Sequence, residues 1–232
     1  MTAARFLPRW EIGPVRGAVI AVDVLRAFTT AAYAFGAGAK HIYLVADVDE
    51  ALAFKAAHPG VLAMGEDGGR RPAGFDLSNS PVEVADADVD GRVLVQRTSA
   101  GTRGVIAARS ADRLWCSSLV CASATAAAVR ASGLGVPTYV ITGRFADAPD
   151  RSGDDDLATA QLIERARLAE DLDAALTATY VATSEEARIT LALGAGHVDP
   201  DDITYATRVD AFGFAMEVTR LDGRVRLDAR VP

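Results

Sequence analysis

The chain has 232 residues, half of them hydrophobic and 24% charged, with a formal net charge of −7. Such a composition is typical of a globular protein with a sizeable core. The acidic balance argues against nucleic-acid or membrane-surface binding, which need basic patches. Because no segment has the apolar length of a signal peptide or a membrane span, we expect a cytoplasmic protein.

The first part of the chain alternates between short apolar runs and helical segments. Strands are predicted at 18–22, 41–46 and 61–64, and helices at 27–37 and from Asp47 or Asp49 to 57. This alternation predicts a parallel sheet with covering helices. The third strand leads into an irregular loop, 65–81, in which glycine and proline interrupt both periodicities. Phe75 and Leu77 supply apolar anchors, so we interpret 65–81 as an active-site loop rather than a disordered one.

The middle of the chain repeats the same alternation. Strands are predicted at 92–96, 113–116 and 136–142, and helices at 101–108 and 120–131. The local match between 39–44 and 111–116 indicates an internal duplication of about seventy residues, in which one β-α-β-α-β unit is used twice. The alternative, that any two such units look alike, stays open.

The last third differs in kind from the rest. A polar loop is predicted at 143–153, with helices at 154–168, 170–178 and 184–193. Strands at 213–219 and 224–227 flank Asp222-Gly223, which is a hairpin turn signal. These terminal strands are expected to extend the sheets or to cross between them.

Polar side chains follow the first strand of each repeat, where open α/β sheets bind ligands. They are Asp23, Arg26, Thr29 and Thr30 in the first repeat and Arg97, Thr98, Ser99, Gly101, Thr102 and Arg103 in the second. Helix N-termini at these positions suit phosphate. Single threonines are readily explained as helix caps, but two such clusters together favour an anion-binding function.

Carboxylates lie at or just beyond the predicted strand ends. They are Asp23, Glu66, Asp76 and the run 154–156. Brought together, they would form a hard-oxygen site suited to Mg²⁺, although acids at 154–156 would also stabilise a helix start. The sequence contains no nucleophile elbow, no Walker phosphate loop and no dinucleotide fingerprint.

Four ordered blocks resemble the 2-phosphosulfolactate phosphatase (ComB-like) family. VDVLRAFTT at 22–30 resembles its DVLRATTT segment, and GE at 65–66 with GFDLSNSP at 74–81 resembles GER…GFDLGNSP. TSAGTR at 98–103 resembles TTNGTRA, and DDD at 154–156 resembles EDD. The blocks span roughly residues 18–160.

The resemblance implies a three-layer α/β/α fold with mainly parallel sheets, internally duplicated subdomains and C-terminal strands. The subdomains would be 1–90, which contains the loop 65–81, and 91–232, which contains the C-terminal helices and hairpin. It also implies a Mg²⁺-dependent phosphatase that converts (2R)-2-phospho-3-sulfolactate to sulfolactate and phosphate on the route to coenzyme M. The partner would be a small anionic phosphate ester, and such a protein is compatible with a homo-oligomer.

Carried onto this chain, the resemblance assigns roles residue by residue. Asp23, Glu66 and Asp76 would be catalytic, and Asp23, Glu66 and Asp155 would hold Mg²⁺. Substrate would be bound by Arg26, Thr29, Thr30, Asn79, Thr98, Ser99, Gly101, Thr102 and Arg103. Formation of a phospho-aspartate and activation of water both stay open.

Three positions depart from the family blocks. Ala100 replaces an asparagine, Asp67 an arginine and Asp154 a glutamate. Because buried polar sites discriminate strongly, such losses can redirect specificity. Two alternatives therefore stay open: a phosphatase of another small phosphorylated hydroxy acid, and a non-catalytic protein that binds an anionic metabolite.

Overall fold

The computed structural model describes residues 3–148, 151–171 and 173–232. Its strands are β1 (Arg5–Pro8), β2 (Ala18–Val22), β3 (His41–Val45), β4 (Leu62–Gly65), β5 (Val93–Arg97), β6 (Arg113–Ser117), β7 (Thr138–Ile141), β8 (Ala215–Leu221) and β9 (Arg224–Arg230). Its helices are α1 (Ala27–Gly36), α2 (Val48–Ala57), α3 (Pro81–Ala85), α4 (Gly101–Ala107), α5 (Ala122–Ala131), α6 (Asp154–Arg167), α7 (Ala174–Ala182), α8 (Glu185–Ala192) and α9 (Asp201–Ala206). Short 3₁₀ turns occupy Arg9–Glu11 and Leu119–Cys121.

The predicted strands and most predicted helices are confirmed, and the differences have local causes. The helix predicted at 170–178 begins at Ala174, because the Asp173 carboxylate accepts a hydrogen bond from Leu176 N at 2.8 Å and caps it. Residue 172 of that prediction, and residues 149–150 of the predicted loop 143–153, lie outside the described residues. β1, α3 and α9 are short elements that the sequence pattern did not indicate.

Within the described residues the strands form one sheet in the order β1-β7-β2-β6-β8-β9-β3-β5-β4. Two parallel groups, β1-β7-β2-β6 and β3-β5-β4, are joined by the antiparallel β8–β9 hairpin. The α/β class with mainly parallel strands is therefore confirmed. The sequence predicted more than one sheet, but the structure has one continuous sheet, because β8 pairs with β6 and β9 pairs with β3. The three-layer arrangement and the duplication stay predictions.

The strand order exchanges the first strands of the two predicted repeats between the parallel groups. β2 lies between β7 and β6, and β5 lies between β4 and β3. Each parallel group thus has a central strand that comes from the other part of the sequence. The predicted hairpin turn is present at Asp222 and Gly223, both of which have positive φ angles as tight hairpins require.

The sheet is buried on both faces, which explains its nearly continuous apolar strands. Val19 and Ala21 of β2 pack in a large inner cluster that also contains residues of α1, α4 and both parallel groups, so the sheet curls around these helices. The alternate residues Ile20 and Val22 pack outward against α5 and α6. A smaller outer cluster covers β3 and β5 with α2. The curl brings the carboxyl ends of the two groups towards each other.

In the part of the chain that the structure describes, no helix combines the length and the apolarity needed to cross a bilayer.

Candidate active site

A cavity of about 340 Å³ lies where the carboxyl ends of β2, β4 and β5 converge. Strand ends of this kind are where α/β sheets bind ligands. The loop after β7 and helix α8 close its other side. The lining residues are Asp23, Leu25, Arg26, Glu66, Asp67, Gly68, Gly69, Asn79, Thr98, Ser99, Ala100, Phe145, Arg151, Ile189, Thr190 and Leu193.

Asp23 follows β2 directly and is buried at the inner end of this cavity. Its Oδ1 accepts a hydrogen bond from Ala27 N at 2.8 Å, and its Oδ2 accepts one from the Thr142 hydroxyl at 3.1 Å. Burial, with a smaller contribution from the charge of Glu66, raises the pKa of Asp23 to about 6 against these hydrogen bonds. A carboxylate with this environment in a cleft is a candidate reacting group.

Two more buried carboxylates lie behind Asp23, in the first turn of α6. Asp156 accepts hydrogen bonds from Val24 N and Gly143 N, each at 2.8 Å, and so ties the loop after β2 to the loop after β7. Burial raises the pKa of Asp155 well above its usual value, and the charge of Glu186 raises it further. Burial likewise raises the pKa of Asp156, with the neighbouring Asp155 charge adding to the effect. Burial and mutual repulsion therefore raise the pKa values of all three carboxyl groups, Asp23, Asp155 and Asp156.

Glu66 is the second residue of the predicted active-site loop 65–81, and its hydrogen bonds hold this loop against the turn after β5. Its carboxylate accepts hydrogen bonds from Gly69 N at 2.7 Å and from both the backbone N–H and the hydroxyl of Ser99. The Arg97 guanidinium donates to the Glu66 carbonyl at 2.6 Å and forms an ion pair with Asp67 at 2.7 Å. These contacts fix the loop against the turn that follows β5, at the cavity wall.

The structure does not bring Asp76 to the cavity. Its carboxylate accepts hydrogen bonds from Ala63 N at 2.8 Å and Lys55 Nζ at 2.6 Å. Burial raises the pKa of Asp76, but the Lys55 ammonium and the Ala63 amide outweigh burial and leave it below its usual value. Asp76 thereby anchors the loop to α2 and β4, and its predicted catalytic role stays a prediction.

Arg26 lines the cavity and is held from behind by a buried ion pair. Its Nη1 lies 2.6 Å from Asp202 Oδ2, and its Nη2 donates to the His197 carbonyl at 3.1 Å. The side chains of Arg26 and Asp202 are 3% and 0% exposed. Asp202 also accepts a hydrogen bond from the Ser80 hydroxyl at 2.5 Å, so α9 connects two of the motif blocks.

The predicted substrate-binding residues divide into two sets. Arg26, Asn79, Thr98 and Ser99 line the cavity, whereas Thr29, Thr30, Gly101, Thr102 and Arg103 do not. The Thr29 hydroxyl donates to the Val24 carbonyl at 2.7 Å, and Thr102 exchanges hydrogen bonds with Thr98 across the first turn of α4. Gly101 is packed so closely against Asp23 that a Cβ there would lie 2.8 Å from Asp23 Oδ2.

Asn79 has the features of a ligand contact. It is 5% exposed, lines the cavity, and its Oδ1 has no hydrogen-bond partner among the described residues. Buried polar atoms are rarely left unsatisfied, because an unpaired group costs about 1–3 kcal/mol. The Asn79 Oδ1 is therefore free to accept a hydrogen bond from a bound molecule.

Sequence reasoning missed several residues around the cavity. Phe145 and Arg151 come from the loop before α6, Arg9 from the first 3₁₀ turn, and Asp202 from α9. No motif marks Arg9 or Asp202, and only the fold brings them to the site. The sequence indicated Asp156 only as one member of the acidic run 154–156. Nothing in that run distinguished the hydrogen bonds of Asp156 to Val24 N and Gly143 N from the role of Asp155.

The predicted Mg²⁺ ligands are only partly brought together. Within residues 3–148, 151–171 and 173–232, no three acidic, imidazole or thiol side chains are grouped so that they could hold a metal ion. Both Glu66 carboxylate oxygens already accept backbone hydrogen bonds, Oε2 from Gly69 N in the loop and Oε1 from Ser99 N in the turn after β5. The buried, mutually repelling Asp23, Asp155 and Asp156 nevertheless have the chemistry that a hard cation requires. The predicted set Asp23, Glu66 and Asp155 stays a prediction.

A buried carboxyl group, an arginine and an asparagine amide surround one cleft at a sheet edge, an arrangement that fits a phosphoric monoester hydrolase. The comparisons with known proteins define this class. The family model described as 2-phosphosulpholactate phosphatase matches residues 11–219. The chain therefore belongs to the 2-phosphosulfolactate phosphatase family, and the resemblance of its four motif blocks is confirmed.

Two relatives illustrate the extent of this similarity, and both carry the name "Probable 2-phosphosulfolactate phosphatase". A protein of Bacillus subtilis is 35% identical over 222 residues, which cover 91% of this chain and 91% of that protein. A protein of Thermus thermophilus is 36% identical over 214 residues, which cover 92% of this chain and 83% of that protein.

Proposed function

We propose that this protein hydrolyses 2-phosphosulfolactate to sulfolactate and inorganic phosphate. The observation that carries the proposal is the position of Asp23, buried at the inner end of a cavity that also presents Arg26 and the side chain of Asn79, whose Oδ1 has no partner among the described residues. The family and the names of its relatives supply the substrate. A place on the route to coenzyme M stays a prediction.

In this proposal Asp23 acts as the general base. Its carboxylate takes a proton from a water molecule, whose oxygen attacks phosphorus while the ester P–O bond breaks. The leaving ester oxygen then takes this proton from the Asp23 carboxyl group, so that inorganic phosphate and the free hydroxy acid are released. Arg26 and the Nδ2–H group of Asn79 donate hydrogen bonds to the phosphoryl oxygens, and the hydrogen bonds from Ala27 N and Thr142 fix the Asp23 carboxylate in one orientation.

We also propose that Asp23 and Asp155 hold Mg²⁺, which when bound would polarise the phosphoryl group. Support comes from the raised pKa values of Asp23 and Asp155, since buried like charges are relieved by a cation. Mg²⁺ commonly uses only one or two carboxylates, together with water and substrate phosphate. Glu66 is left out of this proposed metal site, because both of its carboxylate oxygens already accept the hydrogen bonds that hold its loop.

A second substrate class is favoured by two residues of the cavity wall. Ala100 and Asp67 both line the cavity, at the positions where the family blocks have asparagine and arginine. Asp67 forms an ion pair with Arg97, in which Asp67 Oδ1 lies 2.7 Å from Arg97 Nη1. Another small phosphorylated hydroxy acid would be hydrolysed by the same chemistry with different contacts at this wall.

The test is phosphate release from 2-phosphosulfolactate and from a panel of small phosphate esters, with Mg²⁺ or with EDTA. We expect Mg²⁺-dependent turnover of 2-phosphosulfolactate and loss of turnover in EDTA. Because activity alone does not locate the ion, Mg²⁺ binding is also measured by calorimetry on the substrate-free protein. Asp155→Asn should abolish that binding, and exposed Asp88→Asn should not.

Each negative outcome has a separate meaning. Turnover of another ester alone would retain the chemistry and replace the substrate. Full turnover in EDTA would contradict the Mg²⁺ proposal only. A folded protein that releases no phosphate from any ester would contradict the hydrolase proposal and support the alternative of a binding protein.

The packing of Gly101 against Asp23 gives a further prediction. A Cβ at residue 101 would lie 2.8 Å from both Asp23 Oδ2 and Ala27 Cβ, so Gly101→Ala must displace the carboxylate. Since small misplacements of reacting groups can cost about 100-fold, we expect kcat to fall by that order. Gly213→Ala is the matched control, because nothing lies within 4 Å of a Cβ there. Wild-type kcat in Gly101→Ala would show that Asp23 does not react.

A further inference from the structure

The charges around the cavity are unevenly distributed between its inner end and its rim. The inner end presents the buried carboxyl group of Asp23, with Asp155 and Asp156 buried behind it. Three arginines near the cavity are each neutralised by a carboxylate: Arg26 by Asp202 at 2.6 Å, Arg97 by Asp67 at 2.7 Å and Arg151 by Glu186 at 2.8 Å. Each of these three positive charges is therefore offset by a carboxylate, and Arg26 offers a ligand N–H groups rather than net charge.

Arg9 is different, because it forms no ion pair within the described residues. Its Nη1 donates to the carbonyl of Ser99 at 3.3 Å, and its guanidinium stacks 4.3 Å from the centre of the Phe145 ring. Ser99 and Phe145 both line the cavity, so Arg9 lies at its rim. A guanidinium has five N–H groups, and among the described residues only the Ser99 carbonyl accepts one from Arg9.

A second unneutralised arginine lies nearby. Arg103 is exposed, and none of the described residues forms an ion pair with it. The 3₁₀ turn that carries Arg9 packs against α4, which carries Arg103. Burial lowers the pKa of Arg9, and the charges of Arg103 and Arg151 lower it further against the opposing charges of Asp147 and Asp23. The rim is thus a place where positive charges repel and an anion would be stabilised.

Resting on the proposed function, we infer that Arg9 is a specificity-determining residue that binds a second acidic group of the substrate, beside the phosphate. The phosphate is held at the inner end, with Arg26 and Asn79. The other acidic group, a sulfonate or a carboxylate, lies at the rim against the Arg9 guanidinium, with Arg103 adding charge. Stacking on the Phe145 ring holds the planar guanidinium of Arg9 in place, so that two of its N–H groups, which lie in one plane, face the anion. The substrate class is therefore a phosphate ester with at least one further acidic group.

The test compares two substrates that differ only in the sulfonate, 2-phosphosulfolactate and 2-phospholactate, in wild type and Arg9→Met. We expect the ratio of their kcat/KM values to fall by about 10- to 100-fold, the effect of one charge-assisted hydrogen bond. Arg9→Lys, which keeps the charge and loses the fork, should give an intermediate ratio. Arg16→Met is the control in the same segment, because Arg16 is 78% exposed and lies near Asp112, and it should leave the ratio unchanged.

A second measurement separates this inference from the proposed function. Calorimetry compares the binding of sulfolactate and lactate, neither of which carries a phosphate, to wild type and Arg9→Met. Preferential binding of sulfolactate that is lost in Arg9→Met supports the rim site, even if wild type hydrolyses neither ester. A second pair of esters, phosphoglycolate and ethyl phosphate, differs in the carboxylate. If Arg9→Met lowers the kcat/KM ratio of this second pair only, the rim site is supported with a carboxylate in place of the sulfonate. Unchanged kcat/KM ratios for both pairs of esters, or equal affinities of sulfolactate for both proteins, would overturn the inference.

Discussion

Replacing Asp23 by asparagine is expected to reduce kcat by about 10²- to 10⁴-fold, the usual contribution of a general base. The substitution is nearly isosteric. The amide oxygen can still accept the hydrogen bond from Ala27 N, and the amide N–H can donate to the Thr142 hydroxyl. The loss of activity would therefore come from the missing carboxylate rather than from a rearranged site.

The same substitution should stabilise the metal-free protein. Since burial raises the pKa of Asp23 from 3.8 to about 6, its charged form opposes folding by about 3 kcal/mol at neutral pH. A folded-state pKa above the unfolded value means that this penalty is absent below about pH 4 and complete above about pH 6. Asp23→Asn should thus be more stable than wild type at pH 7, and the difference should disappear as the pH falls towards 4.

Urea unfolding in EDTA at pH 4, 5, 6 and 7 measures this difference, alongside phosphate release at pH 7 with Mg²⁺. Asp88→Asn is the control, because the Asp88 side chain is 87% exposed and remote from the cavity. A variant that retains activity would remove Asp23 from the mechanism. A variant that is less stable than wild type at pH 7 would instead contradict the electrostatic account of the buried cluster.

Replacing Asp202 by asparagine is expected to lower the free energy of unfolding by about 3 kcal/mol or more. The variant leaves the Arg26 guanidinium, 3% exposed, without its counter-charge, and breaking a buried ion pair on one side is strongly destabilising. It also weakens the contact between Ser80 and α9. Because Arg26 lines the cavity, kcat/KM should fall as well.

The neighbouring Asp201 offers a matched control for this variant. Asp201 lies in the same turn of α9 but is exposed, so Asp201→Asn should change the unfolding free energy by less than about 0.5 kcal/mol. In the double variant Arg26→Met with Asp202→Asn, part of the lost stability should return, since no unpaired charge is left buried. Additive losses in the double variant would show that the two side chains are not coupled.

Much of the site could be predicted because its residues are adjacent to strand ends. Asp23 follows β2, Glu66 follows β4, and Thr98 and Ser99 follow β5. Alternating strands and helices place such residues on one edge of a sheet, and all four line the cavity. The motif blocks added Asn79, which periodicity alone would have assigned to an irregular loop.

Other features depend on contacts that no local pattern encodes. Arg9 and Asp202 reach the site from the two ends of the chain, and Asp202 lies 176 residues from its partner Arg26. Asp76 is an acidic residue in a predicted active-site loop and so resembles a catalytic residue in the sequence. Its carboxylate instead accepts a hydrogen bond from Lys55, which lies 21 residues earlier in the chain. The single continuous sheet was hidden for the same reason, since pairing of β8 with β6 and of β9 with β3 is long-range.

The exchange of β2 and β5 between the two parallel groups bears on how the protein is made. During synthesis β2 emerges early, yet its first sheet neighbour, β6, is complete only at Ser117, and its other neighbour, β7, at Ile141. Until then the apolar residues of β2, buried on both faces in the finished protein, have no sheet to join. The nascent chain therefore exposes an aggregation-prone segment over roughly a hundred residues of translation, the kind of delayed, non-local pairing that slows folding and calls for chaperones.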